Sequence, residues 1–210
     1  MKLIVITDTA LFSGEHEQLH QMFRDGLETL HVRKPRVSTA QLRTFLEGFD
    51  ERYRKRIVIH MHHELAATLK LKGIHLTEKH KKKSYISSWF QRKVISIKHP
   101  EIEESTSYHS ISHLNRYDSN FDYVFLSPIF ESISKVGYRG TFNENALKQT
   151  LERTQFKVIA MGGVDETKIE KARDLGFKGV AVLGALWQKP DPNEHFRIIK
   201  ETCEKYPVEW

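Results

Sequence analysis

The chain has 210 residues, 39% hydrophobic and 29% charged, with a formal net charge of +6. This composition is too apolar for a disordered chain and is enough for a proper core, and no apolar run approaches the ~20 residues of a membrane span. The opening stretch, residues 1–12, has an apolar core too short for a signal peptide and broken by Asp8, so a cytoplasmic protein without a membrane partner is expected. The positive surplus is concentrated in ERYRKR (51–56) and KLKGIHLTEKHKKKS (70–84). No nucleic-acid motif accompanies it, so it reads as solvated faces whose field favours an anionic small-molecule substrate, with no nucleic-acid partner. The single cysteine, Cys203, cannot form an internal disulfide and sits in a polar C-terminal helix pattern.

In chain order, short β-branched runs predict strands at 3–7, 28–33, 57–60 and 73–76, a fifth between 94 and 110, then 123–126, 158–161 and 179–183. For the fifth, residues 107–110 are preferred over VISIKH (94–99), which makes 94–104 an added surface segment. Helical patterns fall between them. The clearest covers 38–49, with Ser38 as N-cap and Leu42, Phe45, Leu46 and Phe49 at helical spacing; others cover 63–72, 145–152, 165–175 and 193–205. Eight strands alternating with helices predict an α/β fold, a single compact (β/α)8 TIM barrel over 1–210. A doubly wound open sheet is the alternative, but it wants a Gly-rich turn after the first strand, and Thr7-Asp8-Thr9 is not one.

Barrel active sites are built at the carboxyl ends of the strands. Gly162-Gly163 follow the seventh strand and Gly184-Ala185 the eighth. Glycine backbones let N–H groups approach an anion, so the pairing points to a phosphate; tight turns are the ordinary alternative. The loop after the sixth strand carries Ser132, Ser134 and Lys135, two hydroxyls and an ammonium able to meet phosphate oxygens. The second strand delivers His31 and Arg33 onto one face, where a buried arginine would need a carboxylate or a substrate phosphate. Histidines also collect at strand ends, as His31, His60, His62, His75 and His109. His60 and His62 form an H-x-H of the kind metal hydrolases use, but satisfied core histidines are commoner, and no metal ligand is assigned.

These residues resemble the thiamine phosphate synthase/TenI family, small (β/α)8 barrels of thiamine biosynthesis, over nearly the whole chain. LIVITD resembles the family's first strand and LHVRKP its Q-x-R-x-K segment. HELAATLKLKGIHLTE resembles D-L-A…G-V-H-L-G-Q, SYHS resembles S-x-H-S, and DYVFLSPIFESISK resembles D-Y-x-x-x-G-P-x-F-x-T-x-T-K. VIAMGGV and GVAVLGALW resemble A-I-G-G-I and G-V-A-V-x-x-A-I. The last three, in order and properly spaced, are the specific ones.

The resemblance implies a thiazole phosphate held by Gly162, Gly163, Gly184 and Ala185 with support from Ser132. In synthases the partner substrate is a hydroxymethylpyrimidine diphosphate. Arg33 and Lys135 match positions that grip its diphosphate, Ser107 one that contacts the reacting groups, and Mg²⁺ neutralises the leaving group. The family's Asn-Asp pair, however, falls on His60 and Met61, its second magnesium aspartate on His80, and its Q-x-R-x-K lysine on Pro35. Both magnesium carboxylates are missing, so a TenI-like, thiazole tautomerase-type site is expected. The tautomerase histidine falls on Pro128, leaving His109, His31 and His60 to move the proton. The alternatives are a working thiamine phosphate synthase that uses Mg²⁺, a non-catalytic phosphate-binding regulatory barrel and, further out, a metal hydrolase. Family members often form homo-oligomers.

Overall fold

Eight strands close into a barrel in chain order: β1 Lys2–Ile6, β2 Leu30–Val32, β3 Ile57–Ile59, β4 Gly73–Leu76, β5 Glu103–Tyr108, β6 Tyr123–Leu126, β7 Val158–Met161 and β8 Gly179–Val182. The computed structural model describes residues 1–77, 99–115, 121–130 and 142–210. Among these the helices are α1 Glu15–Arg24, α2 Thr39–Glu47, α3 Glu51–Arg54, α4 Glu64–Thr68, α5 Glu144–Arg153, α6 Ile169–Leu175, α7 Gly184–Trp187 and α8 Pro192–Glu204. The strand pairings are parallel, and Val58, Ile59, Val124, Phe125, Ile159 and Val180 are fully buried, as expected of strands covered on both faces. The expected barrel is therefore the fold.

Local chemistry explains the helix starts. Ser38 accepts from the Gln41 amide at 3.2 Å while the Gln41 side chain accepts from the Ser38 amide at 2.8 Å, a reciprocal cap that starts α2 where the sequence places it. Asn143 caps α5 through the Ala146 amide (3.1 Å), and Asp191 caps α8 ahead of Pro192 through the Asn193 and Glu194 amides.

Several boundaries differ from expectation. β5 begins at Glu103 rather than Ser107, because Glu103–Thr106 pair in register with β4, and the Glu103 amide donates to Lys72 O at 2.9 Å. Charge at Glu103 and Glu104 disguised a strand that backbone pairing creates. Residues 78–98, which hold VISIK, lie outside the described residues. The helix expected over 63–72 is only α4, since Lys70 has a φ of 52°. The pattern over 165–175 divides into a 3₁₀ turn, Glu166–Lys168, capped by Asp165, and then α6. Helix α1 was not anticipated.

The chain forms two compact units, 6–106 and 1–5 with 107–210. In the first, Glu15 at the start of α1 and Lys34 just beyond β2 are buried together. The Lys34 ammonium donates to both Glu15 carboxylate oxygens at 2.5 and 2.7 Å and to the Ala10 carbonyl at 2.6 Å. Burial raises the Glu15 carboxyl and lowers the Lys34 ammonium, and their mutual hydrogen bonds oppose both shifts. In the second unit, the N-terminal ammonium donates to Cys203 O at 2.7 Å and to Tyr206 O, tying the start of β1 to the end of α8. Cys203 lies on the buried face of α8, not in polar surroundings, and burial pushes its thiol up to about 12, which makes it inert.

Candidate functional site

The 6–106 unit assembles a histidine cluster by strand register. His31 on β2 is level with Val58 on β3, and Val58 with Gly73 on β4. The two-residue period of a strand then brings His60 and His75 to the next level on the same face. Their rings stack at 4.2 Å, and His31 meets the His60 ring edge-on at 5.1 Å. His31 Nδ1 lies 2.9 Å from His60 Nε2, so the two nitrogens share one hydrogen bond. His75 Nδ1 lies 2.9 Å from Ser105 Oγ, and the Ser105 hydroxyl is 3.5 Å from the Ile74 carbonyl. The 2.9 Å contact with Ser105 holds the His75 ring by its Nδ1. All three imidazoles are buried. Desolvation, ahead of the repulsion that a proton on one ring would meet from a proton on its neighbour, holds His31 and His60 well below the ordinary imidazole range, so both are neutral.

His62 does not join them. Its Nε2 donates to Val37 O (3.0 Å) and its Nδ1 faces Thr39 Oγ1 (2.8 Å), which clasps it to the chain entering α2. The H-x-H pair is thus divided between the buried cluster, which His60 joins, and a structural clasp made by His62. The real convergence comes from three successive strands, and the signal for it was histidine at the inward positions of each.

Arg33 follows β2 but is exposed, which corrects the expectation of a buried guanidinium. Its amide donates to Thr7 Oγ1 at 3.0 Å, which fixes the backbone at that strand end and leaves the side chain in solvent. Met61, at the first magnesium-aspartate position, is half-buried and has no oxygen to offer. The donors converging beside it are imidazoles, poor ligands for a hard cation, so the residues at this position do not fit Mg²⁺. His80 lies outside the described residues.

In the second unit, Gly162 and Gly163 follow β7 with φ of 91° and 68°. A Cβ at Gly162 would lie 3.0 Å from Pro128 Cα and Cβ and 3.3 Å from Ser127 Oγ, because Phe130 donates to Gly162 O at 3.0 Å and holds the chain after β6 close. Gly162→Ala is expected to lower stability by about 1–3 kcal/mol in urea unfolding, combining left-handed strain with overpacking. A loss below about 0.5 kcal/mol would show that the turn relaxes freely. Gly184 and Ala185 open the short α7, and the amides of Leu186 and Trp187 behind them donate to Leu183 O, each at 3.1 Å.

His109, just past β5, is exposed, and its Nδ1 lies 2.8 Å from Ser127 O. A carbonyl only accepts, so Nδ1 carries the proton and Nε2 is the basic nitrogen. Ser107 is half-buried near the end of β5. Ser132, Ser134 and Lys135 lie outside the described residues.

Comparison with known proteins agrees with this architecture. Residues 3–186 match the family model described as thiamine monophosphate synthase. A thiamine-phosphate synthase of Clostridium tetani is 21% identical over 97% of this chain and 92% of its own length. A crystal structure of thiamine phosphate pyrophosphorylase from Bacteroides thetaiotaomicron superposes with a TM-score of 0.79 and 30% identity, covering 99% of this chain and 100% of that one. The thiamine phosphate pyrophosphorylase of Pyrococcus furiosus shares the fold, with a TM-score of 0.77 at 18% identity over 99% and 97% of the two chains.

Proposed function

We propose that this chain, which belongs to the thiamine monophosphate synthase family, joins hydroxymethylpyrimidine diphosphate to thiazole phosphate, releasing diphosphate. The observation that carries the reading is the match, over nearly the whole chain, to relatives that bear the synthase name, on a barrel whose seventh strand is followed by two positive-φ glycines and whose eighth leads into Gly184. In this reaction the bond from the pyrimidine methylene to the diphosphate oxygen breaks, and the thiazole nitrogen captures that carbon. The amides of Gly162, Gly163, Gly184 and Ala185 hold the thiazole phosphate, and the Ser132 and Ser134 hydroxyls add to it. Arg33 and Lys135 hold the departing diphosphate as its charge develops, and Ser107 contacts the reacting groups.

A second reading is supported by the missing carboxylate at Met61, which removes the electrostatic support of the ordinary coupling step. In it the same phosphate site serves a TenI-like tautomerisation, with the Nε2 of His109 as the proton acceptor.

The deciding assay is thiamine phosphate formation from the two substrates, with and without EDTA. Product formation establishes the coupling reaction. Its absence, from protein that still binds thiazole phosphate, overturns the coupling reading and makes tautomerase activity the next assay. In both readings Gly163→Asp places a carboxylate against the phosphate, and thiazole-phosphate affinity is expected to fall by about 10-fold or more in calorimetric titration. Unchanged affinity would remove the glycine turn from the site.

A further inference from the structure

We propose that His31, His60 and His75 form a three-histidine site for a first-row transition-metal ion of the zinc class. The three side chains each offer one ring nitrogen, and those nitrogens lie within 4.8 Å of one another. Zinc–imidazole bonds of about 2.0–2.1 Å in tetrahedral geometry put ligand nitrogens about 3.3 Å apart. The His31 Nδ1–His60 Nε2 pair, at 2.9 Å, must open by a few tenths of an ångström, and the proton between them moves to the other nitrogen of the ring that carries it, so that both facing nitrogens offer lone pairs and both imidazoles stay neutral. His75 is already oriented, since its Nδ1 lies 2.9 Å from the Ser105 hydroxyl, which can accept from it when Nε2 serves as the ligand atom. That outer hydrogen bond is the device by which metal-binding histidines are held in one tautomer.

The ligand set also selects the ion. Three neutral nitrogens and no carboxylate suit zinc, cobalt, nickel or copper and disfavour magnesium and calcium. Three protein ligands leave a fourth position open to water or to a ligand oxygen. The sequence makes the same point from another side. His31 and His60 stand where the resembling motifs have glutamine and asparagine, so two amides that cannot hold such an ion are replaced by imidazoles beside a third. The site does not depend on which reaction the barrel performs, and its test reads metal directly.

Tag-free protein is freed of metal with a chelator, titrated with Co²⁺ and, separately, loaded with Zn²⁺ and desalted. The expected result is 1:1 retention, visible cobalt absorption bands of a four-coordinate ion, and an X-ray absorption spectrum of the zinc form fitted by imidazole nitrogens. The His31→Gln/His60→Asn double variant, with circular dichroism as the folding control, is expected to bind Co²⁺ about 100-fold more weakly or worse. His62→Gln, outside the cluster, is expected to bind like the parent. Failure of the parent protein to retain either ion overturns the proposal. So does an adventitious ion only, whose binding the double variant leaves unchanged. Should the double variant not fold, the absorption spectrum of the parent decides alone: oxygen-dominated coordination sinks the site.

Discussion

Lys34→Met is expected to lower the unfolding free energy by about 3–5 kcal/mol, the cost of leaving a buried charge without its partner. The Lys34 side chain is fully buried and that of Glu15 is 1% exposed, so removal of the ammonium strands a carboxylate away from water. The Ala10 carbonyl loses its donor in the same step. The double variant Lys34→Met/Glu15→Leu removes both charges and is expected to recover most of the loss, to within about 1–2 kcal/mol of the parent. Urea unfolding of the parent, both single variants and the double variant closes the cycle. A single-variant loss below about 1 kcal/mol would mean that water reaches the pair and that it behaves as a surface ion pair. The same cycle measures how firmly α1 is attached to the chain beyond β2, since this ion pair joins them.

Arg33→Ala is expected to reduce kcat/KM for coupling by about 10²–10³-fold, the usual effect of removing one charge that stabilises a developing anion. The effect should fall on kcat and on KM for the pyrimidine diphosphate, while the affinity for thiazole phosphate stays at the parent value, because the proposed reaction assigns that ligand to the glycine turns. The side chain is exposed and its amide is held by Thr7, so the substitution removes the guanidinium without disturbing packing. Arg33→Lys is expected to keep part of the rate, since an ammonium supplies charge but not the paired donors of a guanidinium. Equal kcat/KM for Arg33→Ala and parent protein would take Arg33 out of the diphosphate site.

The buried polar and charged side chains among the described residues are Thr7, Glu15, Thr29, His31, Lys34, His60, His75, Ser105 and Thr106, all within the 6–106 unit. The second unit contributes backbone instead, as the positive-φ glycines after β7 and the opening of α7. Amide groups and glycine turns suit an anion, while converging imidazoles suit a soft or borderline cation.

What the sequence determined alone is whatever depends on near neighbours. Strand and helix periods are local, so the eight strands and the (β/α)8 order were legible, as was the Ser38 cap that starts α2. The glycine motifs were legible too, because a left-handed turn after a strand leaves few other residues at Gly162 and Gly163. Tertiary structure alone decided the rest. Lys34 sits between Arg33 and Pro35 just past β2, yet it is buried, because α1 brings Glu15 to it from nineteen residues upstream. Arg33 and His31 alternate onto one face, but the strand ends at Val32, so one is in solvent and the other in the core. The convergence of His31, His60 and His75 depends on how β2, β3 and β4 are aligned along one another. That register is set by hydrogen bonds and packing between strands, which no single strand's sequence encodes.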